Sequence, residues 1–188
     1  MRAAHSPYVG SISMGFAAFL GIAVPNVPVP WLEHRFRSSP RLVDKFVLSI
    51  AKLVFYTYAM LWLLARRDVK VAKIEDVLEL FYIDFLRIER DYVEVVKLDR
   101  CELVTRCTNP CPILSLSLRL GLDTRYTCRE VSEPVCRFIL KKLRPDIVFE
   151  RNYGWIRPYR ESCEERIYLA NCLQPTSLKE RLPTGSFR

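Results

Sequence analysis

Histidine is almost missing from this sequence: His5 and His34 are the only two, and none occurs between Arg35 and Arg188. A Ser–His or Cys–His dyad, or a histidine-rich metal site, therefore has no partner within the main body of the chain. Any chemistry there rests on thiols, carboxylates, tyrosines, arginines or backbone. Charge is missing from a second stretch, since Ala3–Leu32 contains no Asp, Glu, Lys or Arg. Cysteine is missing before Cys101, and the seven that follow are an odd number that cannot all pair within one chain. None of them forms a C-x2-C knuckle, the spacing that makes a zinc or iron–sulfur reading strong.

What remains suits one domain: 188 residues, 50% apolar and 12% aromatic, enough for a single well-buried core. The formal charge of +8 comes from acids and bases mixed along the chain. It supports solubility and weak attraction to anions, and it permits nucleic acid without indicating any specific one. Cysteine parity and chain length argue against a secreted disulfide scaffold, so the thiols are expected mostly reduced and the protein cytoplasmic. Cys128 with Cys136, or Cys107 with Cys111, are the alternatives if a pair forms.

The chain divides into an apolar extension (residues 1–40), a body (residues 41–172) and a tail (residues 173–188) with no apolar period, expected to be disordered. In the extension, Met14–Val24 resembles a signal or membrane-anchor core, but no small-x-small cleavage site follows it. A start at Met14 explains the same run. Val43–Arg67 is long and apolar enough to cross a bilayer. Lys45, Ser49, Lys52 and Tyr56 nevertheless mark a polar stripe at helical spacing. That favours a core helix buried nearly all round over a membrane span, which stays as the alternative. Lys73–Arg90 repeats apolar residues at i, i+3, i+4, i+7 and predicts an amphipathic helix paired with the first.

At Tyr92 the period changes to two. Tyr92–Leu98 and Cys101–Cys107 read as a hairpin turning at Asp99–Arg100, with Cys101, Leu103, Thr105 and Cys107 on the inner face. Thr108-Asn109-Pro110-Cys111-Pro112 starts a helix that runs to about Leu120 and is closed by Gly121; a second, over 123–143, is interrupted near Ser132–Pro134. Ile147–Asn152 and Glu165–Ala170 supply two more strands. The expected class is α+β: an N-terminal helical pair, then a four-stranded antiparallel sheet, β-β-α-α-β-β, with helices on one side.

Cys111 is the sharpest candidate for chemistry. It begins a helix, where free N–H groups and the dipole favour a thiolate, so its pKa is expected below the free value. A small buried core residue is the bland alternative. Glu165 shares parity with Ile167 and Leu169 and is expected to face inward as a general acid or base, with Glu150 its counterpart on the preceding strand. Salt bridges to Arg151 or Arg166 account for either glutamate without catalysis. In the loop 153–162, Arg157, Arg160 and Trp155 form a candidate clamp for a carboxylate ligand. No cofactor is predicted. If zinc binds, Cys107, Cys111, Cys128 and Cys163 are the candidate ligands.

Asn109-Pro-Cys-Pro-Ile113, Gly121-Leu122, Cys128 and Ser162-Cys-Glu-Glu-Arg-Ile-Tyr168 follow one another in an order that resembles the L-2-amino-thiazoline-4-carboxylic acid hydrolase-like family. Arg160-Glu161-Ser162 stands where that family has a Gly-Asp turn. The resemblance covers roughly Tyr92–Leu169 and is distantly similar to vinyl-reductase-type ligand-binding domains. It implies a small-molecule site between Cys111 and the sheet, and hydrolysis of a C–N bond in a small heterocyclic carboxylate. The thiolate would attack, an arginine would hold the carboxylate, and Glu150 or Glu165 would move protons. A ligand-sensing or metal-holding module, or a membrane-associated protein, are the rival readings.

Overall fold

The computed structural model describes residues 36–67 and 69–173, so Met14–Val24 and the tail beyond Leu173 lie outside the described residues. Four strands form one sheet: β1 (Val93–Leu98), β2 (Glu102–Cys107), β3 (Ile147–Arg151) and β4 (Cys163–Leu169), in the order β1-β2-β4-β3. Every neighbouring pair is antiparallel. Asp99 closes the first hairpin, its Oδ1 accepting from the N–H groups of Cys101 at 2.8 Å and Glu102 at 2.9 Å.

Alternation along the strands sorts the two faces. Leu103, Thr105, Cys107, Ile147, Phe149 and Ile167 are buried beneath helices. The opposite face carries ion pairs across strands, Arg166 with Glu102 and Arg106 with Glu164 at 2.9 Å. One face is packed and the other is wet, so the helices lie on one side as the sequence predicts.

The longer helices are α1 (Leu42–Ala65), α2 (Leu78–Phe85), α3 (Pro112–Leu120) and α4, which spans 124–143, with short turns of helix at Arg90–Tyr92 and Ala170–Leu173. The sequence predicts a break in α4 near Ser132–Pro134. The helix instead continues through it by widening: Cys128–Ser132 is π-wound between Thr124–Thr127 and Glu133–Leu143. Pro134 has no N–H to give, and it falls in the first turn of the last segment, where none is required. Gly121 ends α3 at φ 62°, the left-handed geometry expected of it. The helix predicted over 73–90 is shorter and also π-wound, with Leu86 N–H bonding Phe81 C=O at 2.9 Å. Its apolar positions Ile74, Val77, Leu78, Phe81, Phe85 and Ile88 are all buried. The Phe85 ring pairs α2 with α1, lying 5.9 Å from Phe55, 5.4 Å from Tyr58 and 5.4 Å from Trp62.

Three expectations are corrected here. First, α1 is not buried nearly all round. Asp44, Leu48, Ala59 and Trp62 are buried, while Leu42, Phe46, Ile50, Leu53, Met60 and Leu64 are exposed. Among the described residues, α2 and α4 pack against only one arc of the helix. The Lys45–Ser49–Lys52–Tyr56 stripe is present, but as a border between the packed arc and the exposed one. Second, the paired cysteines are neither Cys128–Cys136 nor Cys107–Cys111. Cys101 is joined to Cys172, and Cys107, Cys111, Cys128, Cys136 and Cys163 stay free. The reason is register: Glu102 faces Tyr168 across β2–β4, which carries the residue before β2 and the residues after β4 to the same edge. Cys101 therefore serves a crosslink instead of the inner face of β2. Third, the end of the extension is part of the folded body. Arg37 bonds Gly121 and Asp123 through its backbone at 2.9 and 3.0 Å, and Asp44 through its guanidinium at 2.8 Å.

Candidate functional site

The free thiols are brought together from separate elements. Cys107 ends β2 and pairs in register with Cys163, which starts β4. Thr108–Pro110 then leads to Cys111, the residue preceding the first turn of α3. Cys128 and Cys136 project from α4, both buried. Cys111 and Cys163 are half-buried, whereas Cys107, Cys128 and Cys136 are sealed in the core. Of the set named as candidate zinc ligands, Cys163 lies within electrostatic reach of Cys107, Cys111 and Cys128, and Cys128 within that of Cys111. Among the described residues, however, no group of three or more Cys, His, Asp or Glu is placed to hold a metal ion.

Burial dominates the electrostatics of these thiols. It pushes Cys128 and Cys136 up to about 12, and Cys107 higher still, with the Glu165 and Cys163 charges adding to Cys107. At Cys111 burial also raises the pKa, and the nearby Cys163 adds to it. Arg157 and the Leu114 N–H pull the other way and lose. The expected thiolate-stabilising helix start is thus present at Cys111 but is outweighed by desolvation; Pro112, at the first helical position, also removes one of the donors that would serve it. Alkylation by iodoacetamide should therefore show the Cys111 rate still climbing above pH 9, past the free-thiol value of about 8.5, instead of levelling off below it. Cys128 and Cys136 should remain unmodified until the protein unfolds.

A polar chain runs behind the thiols through the sheet–helix interface. Arg151, at the end of β3, is the register partner of Glu165 on β4 and ion-pairs with it. Arg151 Nη1 also donates to Ser132 Oγ of α4 at 2.7 Å. The Tyr82 hydroxyl donates to Glu165 Oε2 at 2.9 Å and accepts from Thr105 Oγ1 at 2.7 Å. Thr105, Tyr82, Glu165, Arg151 and Ser132 thereby tie β2, α2, β4, β3 and α4 together. Burial and the Glu165 charge both push the Tyr82 hydroxyl well above its ordinary value, so it stays a donor. Glu165 faces inward as its parity predicts, with both oxygens already engaged. The π-wound segment of α4 is what presents Ser132 to Arg151.

The other candidates are divided between two places. Glu150 lies on the wet face of β3, accepting from Tyr168 Oη at 2.8 Å and pairing with Arg166 at 3.5 Å, away from Cys111. Arg157 turns inward and is buried. Its Nη1 and Nη2 donate to the carbonyls of Thr108 at 2.8 Å and Asn109 at 2.7 Å, which fixes the segment before Cys111. Its Nε is buried without an acceptor. Trp155 and Arg160 remain together, 5.1 Å from guanidinium carbon to ring centre, but Arg106 also covers that ring at 4.6 Å. Arg106 leaves β2 on the face opposite Cys107, so the proposed clamp is split: Arg157 sits with the thiols, Arg160 and Trp155 sit across the sheet. The sequence offered Arg151 only as a salt-bridge partner for Glu150 or Glu165, and the parts played by Tyr82, Thr105 and Ser132 were missed. The available signal was parity, which puts Arg151 and Glu165 inward on adjacent strands, where buried charges must pair.

Comparison with protein-family models, curated proteins and solved structures finds no match to this chain.

Proposed function

We propose that this chain is a small-molecule-binding α+β domain that holds a compact carboxylate at Cys111 and Cys163, and that it binds its ligand without hydrolysing it. The observation that carries this reading is the Arg157 Nε–H, a buried charged donor without an acceptor, on the guanidinium that acts on the Cys107 and Cys111 thiols. A buried N–H left open costs free energy unless an acceptor from outside fills it. A carboxylate oxygen suits that donor, and the two half-buried thiols offer the soft, polarizable contact beside it.

The resemblance to the thiazoline carboxylate hydrolases implies catalysis by Cys111, but three features favour binding. The Cys111 thiol is held protonated by burial. Glu165 is tied by Arg151 and Tyr82. Glu150 lies on the other face of the sheet. Among the described residues neither glutamate named as a base serves Cys111, and a nucleophile without a base has no route to activation at neutral pH.

Native mass spectrometry of the full chain, alone and with L-2-amino-thiazoline-4-carboxylate, tests this. A retained small acid with unchanged mass, and weaker retention in Cys163→Ser, is the expected result. Loss of the thiazoline ring absorbance by the wild type and not by Cys111→Ser would return the hydrolase reading. A mass increment of zinc, removed by chelator, would instead assign the thiols to a metal.

A further inference from the structure

We infer that the exposed face of α1 is a docking surface for an anionic phospholipid bilayer, with the helix lying in the plane of the membrane. The helix has 24 residues, about 36 Å at 1.5 Å per residue. Leu42, Phe46, Ile50, Leu53, Met60 and Leu64 fall within about a quarter of its circumference at 3.6 residues per turn. They are exposed, Phe46 and Leu53 each by 66%. No charged residue interrupts that arc from Leu42 to Leu64. Among the described residues, only 17% of an 18-residue apolar window of this helix is buried. An apolar face of this length is far beyond the scattered single side chains normal for a soluble surface.

The orientation follows from the opposite arc. Near one end Leu48 packs with Ile113 and Leu122, and near the other Trp62 packs on Phe85. The domain thus lies along the whole length of α1, and a spanning orientation would carry its charged surface into hydrocarbon. An in-plane helix half sunk in the interface keeps that packing and buries the apolar arc.

Charge selects the partner. The helix has one acid, Asp44, which is buried and held by Arg37 at 2.8 Å. Its other charges are Lys45 and Lys52, with Arg41 before it and Arg66 and Arg67 after it. Arg66 is paired with Asp84 at 2.8 Å, which leaves the border of the apolar arc net positive. Lys45 and Lys52 also line a cleft of about 340 Å³ beside that arc, together with Ser49, Tyr126 and Glu130. Two ammonium groups at the edge of an apolar stripe match a lipid phosphate at the edge of its acyl layer. A second copy of this chain matches less well, since parallel pairing of α1 sets Lys45 and Lys52 against their own copies, and antiparallel pairing offers neither an acid of the facing helix. The uncharged run Ala3–Leu32 precedes this end of the helix and adds further apolar sequence to the same chain.

The test is flotation of the full chain with vesicles of phosphatidylcholine alone or mixed with phosphatidylglycerol. The expected result is binding to the mixed vesicles, weakened roughly fivefold for each of Lys45→Ala and Lys52→Ala. The double variant Phe46→Glu/Leu53→Glu should lose binding while its unfolding midpoint stays unchanged. Binding that survives this double variant would overturn the inference by assigning the affinity to the N-terminal run. A wild type that ignores vesicles also overturns it. In that case a dimer made monomeric by Phe46→Glu/Leu53→Glu points to a second copy, and a monomer destabilised by it points to cover from within the chain.

Discussion

Reduction of the Cys101–Cys172 bond is expected to lower the unfolding free energy by about 4 kcal/mol. The bond spans a sequence separation of 71 residues. In the chain-entropy account, a crosslink stabilises by removing conformations from the unfolded chain, and the gain grows with loop length. This loop contains α3, α4, β3 and β4, most of the body of the fold. Its closure also reinforces the centre of the sheet, since Leu169 N–H bonds the Cys101 carbonyl at 2.9 Å beside the crosslink. Against the total of roughly 5–15 kcal/mol typical of a domain, 4 is a large share. Urea unfolding of the oxidised chain, the dithiothreitol-reduced chain and Cys101→Ser/Cys172→Ser checks it. Reduced and double-serine forms should share one lowered midpoint. Midpoints equal to that of the oxidised chain would show that the two cysteines contribute nothing as a crosslink. The five free thiols give an internal control: three are buried and should stay unmodified in the reduced native state.

Local chemistry made much of the fold legible in the sequence. The hairpin is readable because Asp99 supplies a side chain that caps its own turn, and the two flanking runs alternate. Gly121 is readable because α3 needs a left-handed residue at its end. The inward parity of Glu165 is readable from Ile167 and Leu169. What escaped reading depends on distance along the chain. The Cys101–Cys172 pairing follows from the β2–β4 register, which no local pattern encodes. The exposure of α1 escaped because an apolar helix has the same composition whether its outer arc meets protein, lipid or water. The rise in the Cys111 pKa escaped because a helix start is a local feature, whereas the burial that overrides it comes from Cys163, α4 and the loop holding Arg157. The splitting of Arg157 from Arg160 escaped because both lie in one irregular loop, where no period says which side chain turns inward.

The Arg151–Glu165 pair should be the least replaceable contact in the core, and more costly to halve than to remove. Their side chains are 8% and 7% exposed. Glu165→Leu leaves a guanidinium in the interior with Ser132 Oγ as its one remaining hydrogen-bond partner among the described residues, and a guanidinium cannot shed its charge. It also strips Tyr82 of its acceptor. The expected loss is about 3–5 kcal/mol, the range for breaking a buried pair from one side. Arg151→Met should cost less, because a stranded carboxylate, unlike a guanidinium, can take up a proton. In the double variant Arg151→Met/Glu165→Leu neither charge is left behind. It should recover most of the loss, since well-packed apolar replacements of a buried pair are often neutral. The double-mutant cycle read by urea unfolding gives the coupling directly. A coupling near zero would mean that water reaches the pair and screens it. A large coupling fixes Arg151 and Glu165 as the brace that holds β3 and β4 under α4, and so keeps Cys163 level with Cys107 at the start of the candidate site.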